Sequence, residues 1–179
     1  LEADRIGGGQ TKNTTAKITS QHGLVYDRLL RSFGHEMATH YAQANEAAIA
    51  EYERLIHEKE IDCDFVRCPA YLYSRTETKN LMEEVAAAEE LGIRASLETD
   101  SELPFSIAGA AKFERQARFH PLKFLEGLAE EVEVYEHTKV LTVTGTRIET
   151  ERGCVTAENI VFACHFPFIN VPGFYFARM

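Results

Sequence analysis

The residues that most restrict what this chain can fold into are its first twenty-two, LEADRIGGGQTKNTTAKITSQH. An acid, Glu2, stands at what reads as a strand end. The glycine triplet Gly7-Gly8-Gly9 follows, and then a hydroxyl-rich run, Thr11 to Ser20, leads toward a helical region. Each piece alone has a plain reading, as a surface acid and a flexible turn. Together they suit an α/β protein that folds a loop around a ribose and a diphosphate. The carboxylate of Glu2 can accept from ribose hydroxyls. Gly8 and Gly9 let backbone N–H groups approach phosphate oxygens closely. Thr11, Thr14 and Thr15, with the first N–H groups of a helix, supply further donors.

Two residues close to this run have two readings each. Lys17 either sets a positive charge near a diphosphate or cofactor ring, or is a solvated lysine. His22 either points at a ligand or makes a hydrogen bond at a helix start. In a dinucleotide-binding βαβ unit the acid follows a G-x-G-x-x-G turn by roughly 20 residues. Glu2 has no room before it for that turn, so the sequence is expected to be a piece that begins at the end of a second strand.

Composition narrows the function classes. The chain has 179 residues, 45% apolar and 26% charged, with a net charge of −9. That is a globular composition, and its scattered lysines and arginines argue against nucleic acid or an anionic membrane as the main partner. The greasiest stretch, Ile160 to Phe176, is interrupted by His165, Pro167, Asn170 and Pro172, so no membrane span is expected. Cys63, Cys68, Cys154 and Cys164 form no C-x-x-C pair and read as reduced thiols, which suits a cytoplasmic location. His35 and His40 stand five apart, whereas H-E-x-x-H needs histidines four apart on one helix face, so no metal site is expected.

Periodicity predicts the elements. A short helix over Leu24–Phe33 closes near Gly34, and a long one follows at about Glu36–Lys59, with an apolar stripe through Met37, Tyr41, Ala44, Ala48, Tyr52, Leu55 and Ile56. A strand is expected over Phe65–Ser74, with Pro69 marking an edge or bulge. Thr76 is expected to cap a helix carrying Leu81, Val85 and Ala88 on one face, stopped by Gly92. Further strands are expected at Ile93–Leu97 and Lys112–Phe119, separated by a loop over Asp100–Gly109. A helix opens at Pro121, and a meander follows at Val132–Tyr135, Lys139–Thr144, Thr146–Thr150 and Val155–Ala157. Ile160–Cys164 is a continuous apolar run, as in a parallel strand buried on both faces. Tyr71, Tyr73, Phe113 and Phe119 read mainly as core, with a pocket wall as the alternative. Arg115 and Arg118 read as solvated side chains or as carboxylate binders.

The stretch Glu2 to His22 resembles the FAD-dependent oxidoreductases of the D-amino-acid-oxidase superfamily, whose strand-end acid is followed by a G-x-S/T-x-x-x-A-G/A loop over the flavin. Gly9, Thr11, Thr14, Thr15 and Ala16 occupy those places. Phe119–Leu128 resembles the family's helix that returns to the flavin domain, and Val132–Val143, including Val140, resembles the strand pair that reaches the adenine. Glu158–His165 is similar to the family's late strand, with Ala163 and His165 at the flavin edge and His165 where the family has glycine. Thr14–Gly23 is similar to a branch that often carries a C-terminal Rieske domain.

The resemblance implies an α/β fold: a partial FAD-binding Rossmann-like domain with an inserted α+β substrate lobe. It places residues 1–63 and 119–165 in the FAD-binding part, and 64–118 and 166–179 in the substrate lobe. It implies FAD as cofactor and oxidation of a small-molecule amine or amino acid by hydride transfer. No residue stands out as a catalytic base. A cofactor-free, non-catalytic domain and, more distantly, a nicotinamide-dependent dehydrogenase are the alternatives. Surfaces left open by a truncation are expected to favour self-association.

Overall fold

The computed structural model describes residues 1–164, which form two compact units. The larger runs from Thr11 to Glu131; the smaller joins Leu1–Gln10 to the chain from Val132 onward. Every strand pairing among the described residues is antiparallel.

In the larger unit β1 (Lys17–Ile18) leads to α1 (Tyr26–Glu58), β2 (Val66–Arg67), β3 (Ala70–Ser74), α2 (Lys79–Glu90), β4 (Ala95–Glu98), β5 (Gly109–Phe113), β6 (Ala117–Arg118) and α3 (Pro121–Ala129). The strands form two sheets, in the orders β1-β6-β2 and β3-β5-β4. α1 is two helices fused across Gly34, whose φ of 77° and ψ of 171° no helix accommodates. Glycine tolerates that conformation cheaply, so the break falls where the sequence predicts it.

The main core lies where α2 covers the β3-β5-β4 sheet and the start of α1 meets it. Leu81, Val85, Ala88, Ala111, Phe113 and Tyr26 are buried there, with the Tyr26 ring stacked on Phe113 at 6.1 Å. Strand alternation decides which residues enter this core. Phe113 pairs with Ala70 and Ala95, so small neighbours leave room for its ring. Burying such a ring stabilises the unit by about 1.5–3 kcal/mol. Tyr71 and Tyr73, one step out of phase, are exposed on the other face. Two further clusters lie under α1. Ile18, Ile49 and Ala117 form one, and Ile56, Cys63 and Phe124 the other, with Phe119 and Phe65 packed against both.

In the smaller unit β7 (Val140–Thr144), β8 (Arg147–Thr150) and β9 (Gly153–Thr156) make a three-stranded meander. Val132–Tyr135, expected as a strand, is irregular, and Tyr135, His137 and Thr138 spend backbone groups on Glu2 and Asp4 instead of on a strand ladder.

Other expectations are also corrected. Lys112–Phe119 is interrupted: β5 ends at Phe113, Arg115 takes φ 58°, and β6 begins at Ala117. Phe65–Ser74 divides across Cys68-Pro69, since proline has no N–H for the ladder. Thr76 does not cap α2; Ser74 Oγ accepts from the N–H groups of Thr76 and Glu77 (both 3.3 Å) ahead of the helix. Ile160–Cys164 is irregular and Val161 is 87% exposed. An apolar run becomes a buried strand only when ladders flank it, and no described strand pairs with this one.

Candidate functional site

In the smaller unit the N-terminal residues are clamped by the segment before β7. Glu2 N–H donates to Tyr135 O (2.9 Å), Thr138 N–H to Glu2 O (2.8 Å) and His137 N–H to Asp4 O (2.8 Å). Glu136 Oε1 accepts from Ile6 N–H at 2.8 Å. The Glu2 carboxylate is itself oriented, because its Oε1 accepts from Asp4 N–H at 2.8 Å.

The turn then tightens, with Gly8 N–H donating to Arg5 O at 2.9 Å. A Cβ on Gly8 would sit 2.9 Å from that backbone carbonyl oxygen, so the turn itself requires glycine. Gly9 is exposed, and a Cβ placed on it would meet no atom within 4 Å, so backbone at that point can be approached closely. Beside Leu1 lies a cleft of about 410 Å³, lined also by Tyr135, Thr138, Arg152, Cys154 and Val155. Val140 opens β7, half-buried and paired with Thr150. Ala163 is exposed in the irregular segment, and His165 lies outside the described residues.

In the larger unit Thr11 lies in a short 3-10 turn, Gln10–Asn13, and is exposed, as are Thr14, Thr15 and Lys17. Thr14 Oγ1 accepts from Ala16 N–H at 3.2 Å, which leaves its O–H to donate elsewhere. Ala16 has φ 59°, a left-handed conformation that costs roughly 1–2 kcal/mol for a residue with a Cβ. Ala16 O nevertheless accepts from Phe119 N–H (3.2 Å), and Lys17 pairs with Arg118, so the strained bend is held from β6. His22 Nε2 lies 3.2 Å from Asn45 Oδ1 on α1, and Asn45 in turn donates to Tyr41 O. Arg118 is exposed on β6 beside Lys17, and Arg115 is exposed at the bend before it.

Sequence reasoning missed what fixes this segment. Ser20, Tyr26, Glu84 and Gln116 are all buried. Gln116 Oε1 accepts from Ser20 N–H (2.7 Å) and Ser20 O–H (3.2 Å), and Tyr26 O–H donates to Ser20 O at 2.6 Å. Burial pushes the Tyr26 phenol well above its ordinary range, outweighing the bond to Ser20, so Tyr26 stays a donor. A signal for Glu84 existed: it sits on the helical stripe Leu81, Glu84, Val85, Ala88, where a lone acid must find buried donors.

Each unit by itself carries groups with the chemistry that part of a nucleotide would need. The smaller unit offers an oriented carboxylate for ribose hydroxyls and a mixed apolar–polar cleft. The larger offers exposed hydroxyls, a strained bend and a lysine for an anionic group.

Comparison with known proteins gives a consistent result. Residues 1–173 match the family model described as FAD dependent oxidoreductase. A Bacillus subtilis (strain 168) protein named for a Rieske 2Fe-2S centre is 35% identical over 190 aligned positions, which take in all of this chain and 37% of the relative. Among solved structures, glycine oxidase from Geobacillus kaustophilus is similar with a TM-score of 0.66 at 19% identity, over 88% of this chain and 45% of that one. L-proline dehydrogenase from P. horikoshii (TM-score 0.62, 15% identity) and L-amino acid deaminase from Proteus vulgaris (0.60, 14%) share the fold over 87% of this chain and 43% and 38% of theirs. The chain therefore spans less than half the length of each of these proteins.

Proposed function

We propose a function from one premise: the chain belongs to the FAD-dependent oxidoreductase family. In our reading it takes part in oxidising the C–N bond of an amine or amino acid. FAD, when bound, supplies the hydride acceptor for that oxidation. Everything else is the work of this chain's own residues. Glu2 accepts from ribose hydroxyls. Thr11, Thr14 and Thr15 donate their hydroxyls to the diphosphate, with Gly8, Gly9 and Ala16 shaping the loop around it. Lys17 sets positive charge where the cofactor gains negative charge on reduction. Val140 and the cleft beside Leu1 receive the adenine. His22 orients through Asn45, and Ala163 meets the ring edge.

The observation that carries this reading is the orientation of Glu2 by Asp4 N–H at 2.8 Å, followed by the obligatory Gly8 turn and three exposed threonines. A solvated acid needs no such fixation, whereas a carboxylate that must meet two ribose hydroxyls does.

Residues 1–63 and 119–165 form the cofactor part in this proposal, and 64–118 and 166–179 the substrate part. The kinds of compound named in the fold neighbours, glycine, L-proline and L-amino acids, support an amino acid as substrate class. The likeness to the protein named for a Rieske centre supports placing the chain in the branch that carries one.

The test is a panel of amines and amino acids offered to the FAD-incubated chain with a dye as electron acceptor. FAD-dependent dye reduction by one compound class supports the reading. Saturable FAD binding with no turnover of any amine would remove the substrate assignment and leave the cofactor.

A further inference from the structure

We infer that Gln116 is a positioning residue for the cofactor segment, its side chain adding to the short strand pairing to fix the conformation of Lys17–His22. The strand pairing is slight. β1 has two residues, and only Lys17 and Ile18 are in register with β6. A two-residue ladder holds little, because each fixed residue costs backbone entropy comparable to what a hydrogen bond returns.

Directly after β1 the support changes in kind. Ser20 is fully buried, and its N–H, O–H and C=O are all engaged by side chains from elsewhere in the unit. Gln116 takes the N–H and the O–H on one oxygen, and Tyr26 donates to the carbonyl. Gln116, 1% exposed, cannot swing away, because its Nε2 donates to Glu114 O (2.9 Å) and reaches Glu46 Oε1 on α1 (3.4 Å). Its backbone carbonyl accepts from Cys68 N–H at 3.0 Å.

One glutamine thus ties Glu46 on α1, Glu114 in the bend before β6 and the exit of the hydroxyl segment into a single network around the buried Ser20. Such networks are rigid when every member is satisfied. Lys17 lies three residues before Ser20 and His22 two after it. Neither is itself buried, so Ser20 is the fixed point from which both are aimed.

The cofactor half of this inference rests on the FAD reading; the structural half does not. Hydrogen exchange of the full chain reads the structural half, and fluorescence titration with FAD reads the cofactor half. Gln116→Met should raise exchange across residues 17–23 by at least about tenfold while β3, β5 and α2 keep their protection. The FAD dissociation constant should rise by about tenfold with it. Should Gln116→Met not fold, Ser20→Ala removes only the hydroxyl bond and should give the same local pattern at smaller amplitude.

Unchanged exchange over residues 17–23 overturns the inference. Protection lost equally across the whole unit also overturns it, since Gln116 would then be a general core residue. If the wild-type chain shows no saturable FAD binding, the FAD reading and the cofactor half fail together, and exchange still decides the lock.

Discussion

Glu84 shows how much one side chain can settle. Its Oε1 accepts from the N–H groups of Val25 and Tyr26, both at 2.9 Å, and its Oε2 from Asp27 N–H at 3.1 Å. These are donors that α1 leaves open at its N-terminus, and Val25 has no capping side chain of its own. A negative charge there also faces the positive end of the helix dipole. Glu84→Ala should therefore destabilise the protein by about 3 kcal/mol, because the burial is complete and several N–H groups lose their acceptor. Urea unfolding checks this; a change under about 0.5 kcal/mol would mean water replaces the carboxylate without loss. The buried stripe of α2 was legible from Leu81, Val85 and Ala88. The partner of Glu84 was not, since nothing local in the sequence links it to Val25, far back along the chain. Gln116 was hidden for the same reason: an alternating strand pattern gives no sign that one polar residue turns inward to meet Ser20.

At the scale of elements, glycine and proline gave reliable punctuation. Gly34 breaks α1, and Pro121 opens α3, where His120 Nδ1 accepts from Lys123 N–H at 3.3 Å. Strand runs were less legible. Fixed alternation cannot report a bend such as Arg115, whose φ of 58° comes from tertiary context, nor whether Ile160–Cys164 finds neighbours to pair with. α3 carries a further constraint invisible to periodicity. A Cβ on Gly127 would lie 2.8 Å from both Cγ1 and Cγ2 of Ile61. Those atoms sit at the base of a β-branched side chain and cannot retreat without moving the backbone. Gly127→Ala gains helix propensity yet should lower stability by about 1–2 kcal/mol through overpacking. Thermal unfolding measures this, and a higher midpoint would show that α3 and Ile61 separate freely.

For the whole molecule, stability depends on pH through groups whose protonation differs between folded and unfolded states. Burial raises the Cys63 thiol above its ordinary 9.0, and burial likewise raises the Tyr26 phenol above 10.0. For both groups the folded chain holds its proton where the unfolded chain has lost it. Their contribution is complete below about pH 9 and declines as pH climbs through the folded values. At the acid end the bonds from Arg54 to Glu51, Arg67 to Glu53 and Lys123 to Asp64 hold those carboxylates below their ordinary 4.5, 4.5 and 3.8. Their stabilisation is present above those values and is lost as pH falls through the lowered ones, but all three pairs are solvated, so the acid limb should be shallow. Unfolding midpoints should fall between neutral pH and pH 11, and across that range Tyr26→Phe should flatten the decline; an unchanged slope would place the titration elsewhere.

Whether this chain holds FAD through Glu2 is the question on which the proposed function turns. The direct measurement is a flavin-fluorescence titration of the purified chain, wild type beside Glu2→Ala, with hydrogen exchange confirming that both are folded. Saturable quenching by wild type, weakened about tenfold in the variant, is the predicted result, corresponding to about 1.4 kcal/mol from the ribose contact. No saturable quenching, or an affinity indifferent to Glu2, would contradict it.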